Sequence, residues 1–134
     1  MSRILVIDDQ PHIRKIISEL LVTDNHQVDQ AEDGKVGLKL FNMTPYDLVI
    51  TDVVMPERDG LEVLMSIRNR NLRTRIIVMS GGAAHLDVDN LLNTAKILGA
   101  DRVIAKPIDF IQLQKTVKDV LNSPARTQAP QGLA

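Results

Sequence analysis

Short apolar runs alternate with amphipathic stretches along this chain, and no segment repeats. The runs at 4–8, 27–31, 48–52, 75–80 and 102–105 are rich in Val and Ile. The first, third and fourth are apolar nearly throughout, as a strand reads when a parallel sheet buries both of its faces. The second is weaker and fits an edge. Between the runs the period changes. In 11–23 the apolar positions Ile13, Ile16, Ile17, Leu20 and Leu21 form the stripe of one helix face. Pro11 suits the first turn, where its missing N–H leaves no bond unmade. The same period predicts helices at about 34–43, 60–71, 87–98 and 109–121. Asp33, Asp59 and Asp109 stand where a carboxylate can cap the first-turn N–H groups, and Gly99 stands where a helix end needs a left-handed residue.

Five strands, each followed by a helix, predict an α/β fold: a doubly wound parallel sheet with helices on both faces. A chain of 134 residues with 44% apolar and 25% charged residues suits one domain with one core, placed at 1–121. Residues 122–134, rich in Pro, Ala, Gln and Gly, read as a disordered tail too short to hold a DNA-binding domain. The net charge of −1 creates no field that draws the chain to nucleic acid or lipid. The absence of cysteine excludes disulfides and thiolate metal sites. The first apolar run is too short for a signal peptide or a membrane span, so a cytoplasmic location is expected.

The candidate chemistry lies at the ends of the runs. Asp8 and Asp9 close the first, Asp52 the third and Ser80 the fourth, and Lys106 follows the fifth. In a doubly wound sheet the carboxyl ends of the strands share the edge where ligands bind. In the flavodoxin-like order 2-1-3-4-5, strands one and three are neighbours. Asp9 and Asp52 then face each other, with Ser80 and Lys106 on the flank. Three converging carboxylates repel, and a hard divalent cation such as Mg²⁺ resolves this while keeping positions open for phosphoryl oxygens. Lys106 adds a positive charge and Ser80 a hydroxyl donor, so a carboxylate can act as nucleophile and form an aspartyl phosphate. Each piece alone has a simpler reading. Asp8-Asp9 could cap the next helix, Asp52 could merely end a strand, Ser80-Gly81-Gly82 could be a turn and Lys106-Pro107 a loop. Their joint placement at strand ends favours a site. His12, His26 and His85 lack ligand spacing and read as surface residues; Met55, Met65 and Met79 read as core filler.

These residues resemble the receiver domain of bacterial two-component response regulators, in a stand-alone form similar to the chemotaxis regulators. The resemblance runs over 3–121. It rests on Ile4-Leu5-Val6-Ile7-Asp8-Asp9, on Asp47-Leu48-Val49-Ile50-Thr51-Asp52-Val53-Val54-Met55-Pro56 with Asp59-Gly60, on Ser80, and on Gly99-Ala100-Asp101 ahead of Lys106-Pro107. It implies phosphorylation of Asp52 by a sensor histidine kinase or phosphotransfer protein. It further implies Mg²⁺ held by Asp9, Asp52 and the Val54 carbonyl, with Asp8 acting through water. Ser80 and Lys106 would bind the phosphoryl group, and the Lys106–Pro107 peptide would be cis. Two positions depart from the family. Val103 stands where a Tyr or Phe ring usually moves inward, and the stretch after Ser80 is longer and opens with Gly81-Gly82. The expected signal therefore travels through the backbone of 81–86 to an unidentified protein partner, without direct DNA or membrane contact. The family also contains phosphate sinks and relay shuttles, which stay open here. An aspartate-nucleophile phosphohydrolase would need an acid two residues after Asp52, where Val54 stands.

Overall fold

The computed structural model describes residues 2–53, 60–80, 93, 95, 96 and 98–124. Its elements are β1 (Arg3–Ile7), α1 (Pro11–Thr23), β2 (Gln27–Ala31), α2 (Gly34–Met43), β3 (Leu48–Asp52), α3 (Gly60–Arg70), β4 (Arg75–Ser80), β5 (Arg102–Ala105) and α4 (Phe110–Asn122). The five strands form one parallel sheet in the order β2-β1-β3-β4-β5. This is the doubly wound architecture that the alternation of periods predicts.

Several of the expected bounds shift by one residue. β1 runs over Arg3–Ile7, which leaves Asp8 in the connection to α1; α3 closes at Arg70, and α4 runs over Phe110–Asn122. The helix expected at 87–98 falls mostly outside the described residues, as do Asp59, Met55, His85 and the tail from 125 onward.

Alternation along the strands divides the core between the two faces of the sheet. Leu5, Ile7, Val49, Ile76 and Val78 pack with Val63, Leu64 and Ile67 of α3. Ile4, Val6, Leu48, Ile50, Ile77 and Met79 pack with Ile17 and Leu21 of α1 and Leu113, Val117 and Val120 of α4. β1, β3 and β4 are thus buried on both faces, which explains their unbroken apolar sequences. β2, at the edge, is exposed at Gln27 and Gln30.

Local chemistry sets the helix ends. Asp33 accepts from Val36 N at 2.9 Å, and Asp109 accepts from Gln112 N at 3.1 Å. Gly99 has φ 114°, a conformation that L side chains resist. Around it, Gly99 N donates to Lys96 O and Ala100 N to Ala95 O, the paired bonds that close a helix C-terminus. At the other end of the molecule α3 starts hard against β3. Gly60 N donates to Val53 O at 2.6 Å, and a Cβ at Gly60 would sit 2.0 Å from the Asp52 carbonyl oxygen. Only glycine permits that approach, so the nucleophile candidate sits directly beneath a helix start.

Two side chains depart from the sequence reading, and a third carries a contact that the pattern did not address. Met65 is 39% exposed on α3 and is not core filler, whereas Met79 is fully buried. His26 is half-buried, and its Nδ1 accepts from Ser2 N at 3.2 Å. Arg68, a charged residue in a helical stripe, is buried. Its guanidinium donates to the carbonyls of Gly99, Asn71, Leu72 and Thr74 and pairs with Asp101 at 2.9 Å. Asp101 also accepts from Ile76 N at 2.8 Å. This cluster locks the end of α3 to the start of β4 and β5, far from the strand carboxyl ends.

Candidate functional site: an acidic cluster with one lysine

The site forms where β1, β3, β4 and β5 end. Asp8 follows β1 and is fully buried. Its main-chain N–H extends the sheet by donating to Ala31 O at 3.2 Å. Its carboxylate is engaged on both sides: Oδ1 accepts from Gln10 N at 2.9 Å, and Oδ2 from Lys106 Nζ at 3.1 Å. Asp9, the next residue, faces solvent. Asp52, the last residue of β3, is 6% exposed. Its Oδ2 accepts from Lys106 Nζ at 2.9 Å. Asp8, Asp9 and Asp52 can each offer one oxygen within 4.8 Å of the others. Such a set of hard oxygen donors, partly open to solvent through Asp9, suits a small divalent cation.

Lys106 is held in place from two directions. Its main-chain N–H donates to Ser80 O at 2.7 Å, which prolongs the β4–β5 register by one bond beyond Ser80↔Ala105. Its ammonium bridges Asp8 and Asp52 and approaches Gln10 Oε1 at 3.4 Å. The sequence places Lys106 on the flank of Asp9 and Asp52; in the structure its ammonium meets Asp8 and Asp52 directly and offsets part of the repulsion among the three carboxylates. Ser80 is buried at the end of β4, one strand from Asp52. The Lys106–Pro107 peptide is cis. Val103 is half-buried against the cluster that contains Val78 and Ala100. Val54, Gly81 and Gly82 lie outside the described residues.

Burial pushes the Asp52 carboxyl above the ordinary carboxylate value. The hydrogen bond and charge of Lys106 pull it down, while Asp8 and Asp9 add to the rise. Burial works to lower the Lys106 ammonium, but the bonds and charges of Asp52 and Asp8 outweigh it, and the net direction is up. Lys106 is therefore charged at neutral pH.

Two residues of this neighbourhood escaped the sequence reading. Gln10, the N-cap of α1, offers its side-chain oxygen to Lys106. Arg14, in the first turn of α1, donates from Nη1 to the Asp8 carbonyl at 2.7 Å. The available signal was their place close after Asp8-Asp9 in the chain, polar residues on a helix start that points into the site.

Residues 4–118 match the family model described as the response regulator receiver domain. The chain is 36% identical over 116 residues to the transcriptional regulatory protein DltR of Streptococcus agalactiae, covering 87% of this chain and 50% of DltR. It thus spans about half the length of that relative. Among solved structures, it resembles the response regulator TrrA of Thermotoga maritima, determined in complex with Mg²⁺-BeF. The TM-score is 0.75 with 37% identity, covering 90% of this chain and 99% of TrrA. A response regulator receiver domain protein from Clostridium thermocellum superposes with a TM-score of 0.81 at 32% identity, covering 91% of this chain and 95% of that one. With the match extending over most of its length, the chain belongs to the response regulator receiver domain family.

Proposed function

We propose that this chain is the phosphoacceptor of a two-component phosphorelay, which accepts a phosphoryl group on Asp52 in a Mg²⁺-dependent reaction and signals through protein contact. The observation that carries this reading is the convergence of Asp8, Asp9 and Asp52 with Lys106 seated on Asp52. The resemblance to TrrA, solved with Mg²⁺-BeF, supports it.

In this reading Asp9, Asp52 and the Val54 carbonyl hold Mg²⁺. Asp8, whose two oxygens already accept from Gln10 N and Lys106, acts through water. The cation, when bound, supplies positive charge for the phosphoryl oxygens. A carboxylate oxygen of Asp52 forms the new O–P bond. The bond from phosphorus to the donor, a kinase histidine or a small acyl phosphate, breaks with its electron pair leaving on the donor. Lys106 pairs with the transferred group because its ammonium is already held at the Asp52 carboxylate, and the Ser80 hydroxyl donates to a phosphoryl oxygen. The chain is a signalling phosphoacceptor that assists its own phosphorylation and dephosphorylation, with a sensor kinase or phosphotransfer protein upstream and a protein partner downstream. Its cytoplasmic location follows from those partners. No described helix is long and apolar enough to cross a membrane.

Incubation with Mg²⁺ and acetyl phosphate, followed by intact-mass spectrometry, tests the assignment. The parent chain gains a phosphoryl mass; Asp52→Asn and Asp52→Ala do not. Undiminished phosphorylation of Asp52→Asn would overturn it. One observation favours a second reading, a phosphate sink or relay shuttle: at Val103 an aliphatic side chain takes the place of a mobile ring. Hydrogen exchange with Mg²⁺ and beryllofluoride separates the two. A switch changes protection over 80–92, whereas a sink changes it only at the pocket.

A further inference from the structure

We infer that Arg14 is a positioning residue for the divalent cation, acting by aiming the Asp9 carboxylate; the inference rests on the magnesium reading of the site. Asp9 faces solvent, and both peptide units that flank its Cα are tethered. The Asp8–Asp9 peptide is held through its carbonyl oxygen, which accepts from Arg14 Nη1 at 2.7 Å. The Asp9–Gln10 peptide is held through its N–H, which donates to Asp8 Oδ1 at 2.9 Å. A peptide unit is planar, so fixing its carbonyl also fixes the direction from which the next residue departs. Together the two tethers set the Cα–Cβ direction of Asp9 and keep its carboxylate within reach of Asp8 and Asp52.

Arg14 sits where folding alone does not favour it. It lies in the first turn of α1, where the helix dipole opposes a cation. Its Nε is buried with no hydrogen-bond partner among the described residues, an arrangement that costs free energy. Its charge also stands near the acidic cluster, so by Coulomb's law alone it opposes a bound cation. The positioning effect and the charge effect therefore carry opposite signs, and the sign of a measured change tells them apart.

The experiment is calorimetric titration of MgCl₂ into the full chain and its variants at room temperature, with circular dichroism to verify folding and metal-free melting curves alongside. Arg14→Met removes the tether and the charge. Arg14→Gln keeps a polar side chain too short to reach the Asp8 carbonyl. Both are expected to weaken Mg²⁺ binding by about tenfold or more, the usual effect of losing a partner that orients a ligand. Arg14→Lys, which can still donate to that carbonyl, is expected to stay within about threefold of the parent on the same grounds. Unchanged or tighter binding in folded Arg14→Met or Arg14→Gln overturns the inference, as does failure of both to fold, since a purely structural role then suffices. A parent chain with no saturable Mg²⁺ binding defeats the magnesium reading and takes this inference with it. Parent binding with unaffected variants removes only the role of Arg14.

Discussion

Replacing Lys106 with Met probes the electrostatics of the site most directly. The ammonium pairs with Asp8 Oδ2 at 3.1 Å and Asp52 Oδ2 at 2.9 Å, with side-chain exposures of 12%, 0% and 8% for the three groups. Breaking a buried pair by removing one partner costs about 3–5 kcal/mol, because the other charge stays buried and uncompensated. Here two carboxylates are left, with Asp9 adding to the repulsion. A loss of about 3 kcal/mol at neutral pH lowers the melting temperature of a domain this size by roughly 10 °C. Two conditions should relieve it. Acid is one. The Asp52 carboxyl already binds its proton more tightly in the fold than the ordinary value, and without Lys106 the rise grows. A raised carboxylate makes the fold gain stability as pH falls from the folded value toward the ordinary one, so the gap between variant and parent narrows on acidification. Mg²⁺ is the other, since a bound cation takes over the neutralisation that Lys106 provides. Thermal melts across a pH series, with and without Mg²⁺, give the answer. A gap that stays constant across both series would refute the reasoning and reduce Lys106 to a packing residue.

Two further outcomes follow from the geometry. Tyr46 donates to Asp29 Oδ2 at 2.6 Å, and burial, then that bond and the Asp29 charge, raise its hydroxyl well above the ordinary value despite the pull of Arg3. The raised group stabilises the fold below the ordinary tyrosine value near 10, and this contribution is lost as pH rises beyond it. Tyr46→Phe should cost about 1 kcal/mol at neutral pH and flatten the alkaline limb of stability, as denaturant unfolding above and below that pH would detect. Gly60→Ala places a Cβ 2.0 Å from the Asp52 carbonyl oxygen, against main chain that cannot swing aside. It should destabilise the domain by about 1–3 kcal/mol in urea unfolding and slow Asp52 phosphorylation, because α3 must lift off the end of β3. Wild-type behaviour on both counts would show that the two segments yield freely.

What the sequence determined by itself is whatever depends on neighbours in the chain. β1, β3 and β4 were legible because burial on both faces demands an unbroken apolar run, and α1 because one buried face demands the 3.6-residue stripe. Asp33, Asp109 and Gly99 were legible because caps and left-handed turns act within a few residues. The polar residues at the strand ends could be named because a doubly wound sheet gathers those ends at one edge. Tertiary structure decided which of them touch. The pairing of Lys106 with Asp8, 98 positions away, depends on β5 closing the far side of the sheet and on the Ser80 carbonyl holding the Lys106 N–H. Arg68 carried no local mark of its role, and Gln10 and Arg14 carried only their closeness in the chain to Asp8-Asp9. A charged or polar residue on a helix satisfies the periodic pattern equally well in solvent or against a buried carbonyl. Hydrophobic periodicity records only whether a face is apolar, whereas a hydrogen bond requires a specific atom at a specific distance, and only the packed sheet and helices supply it.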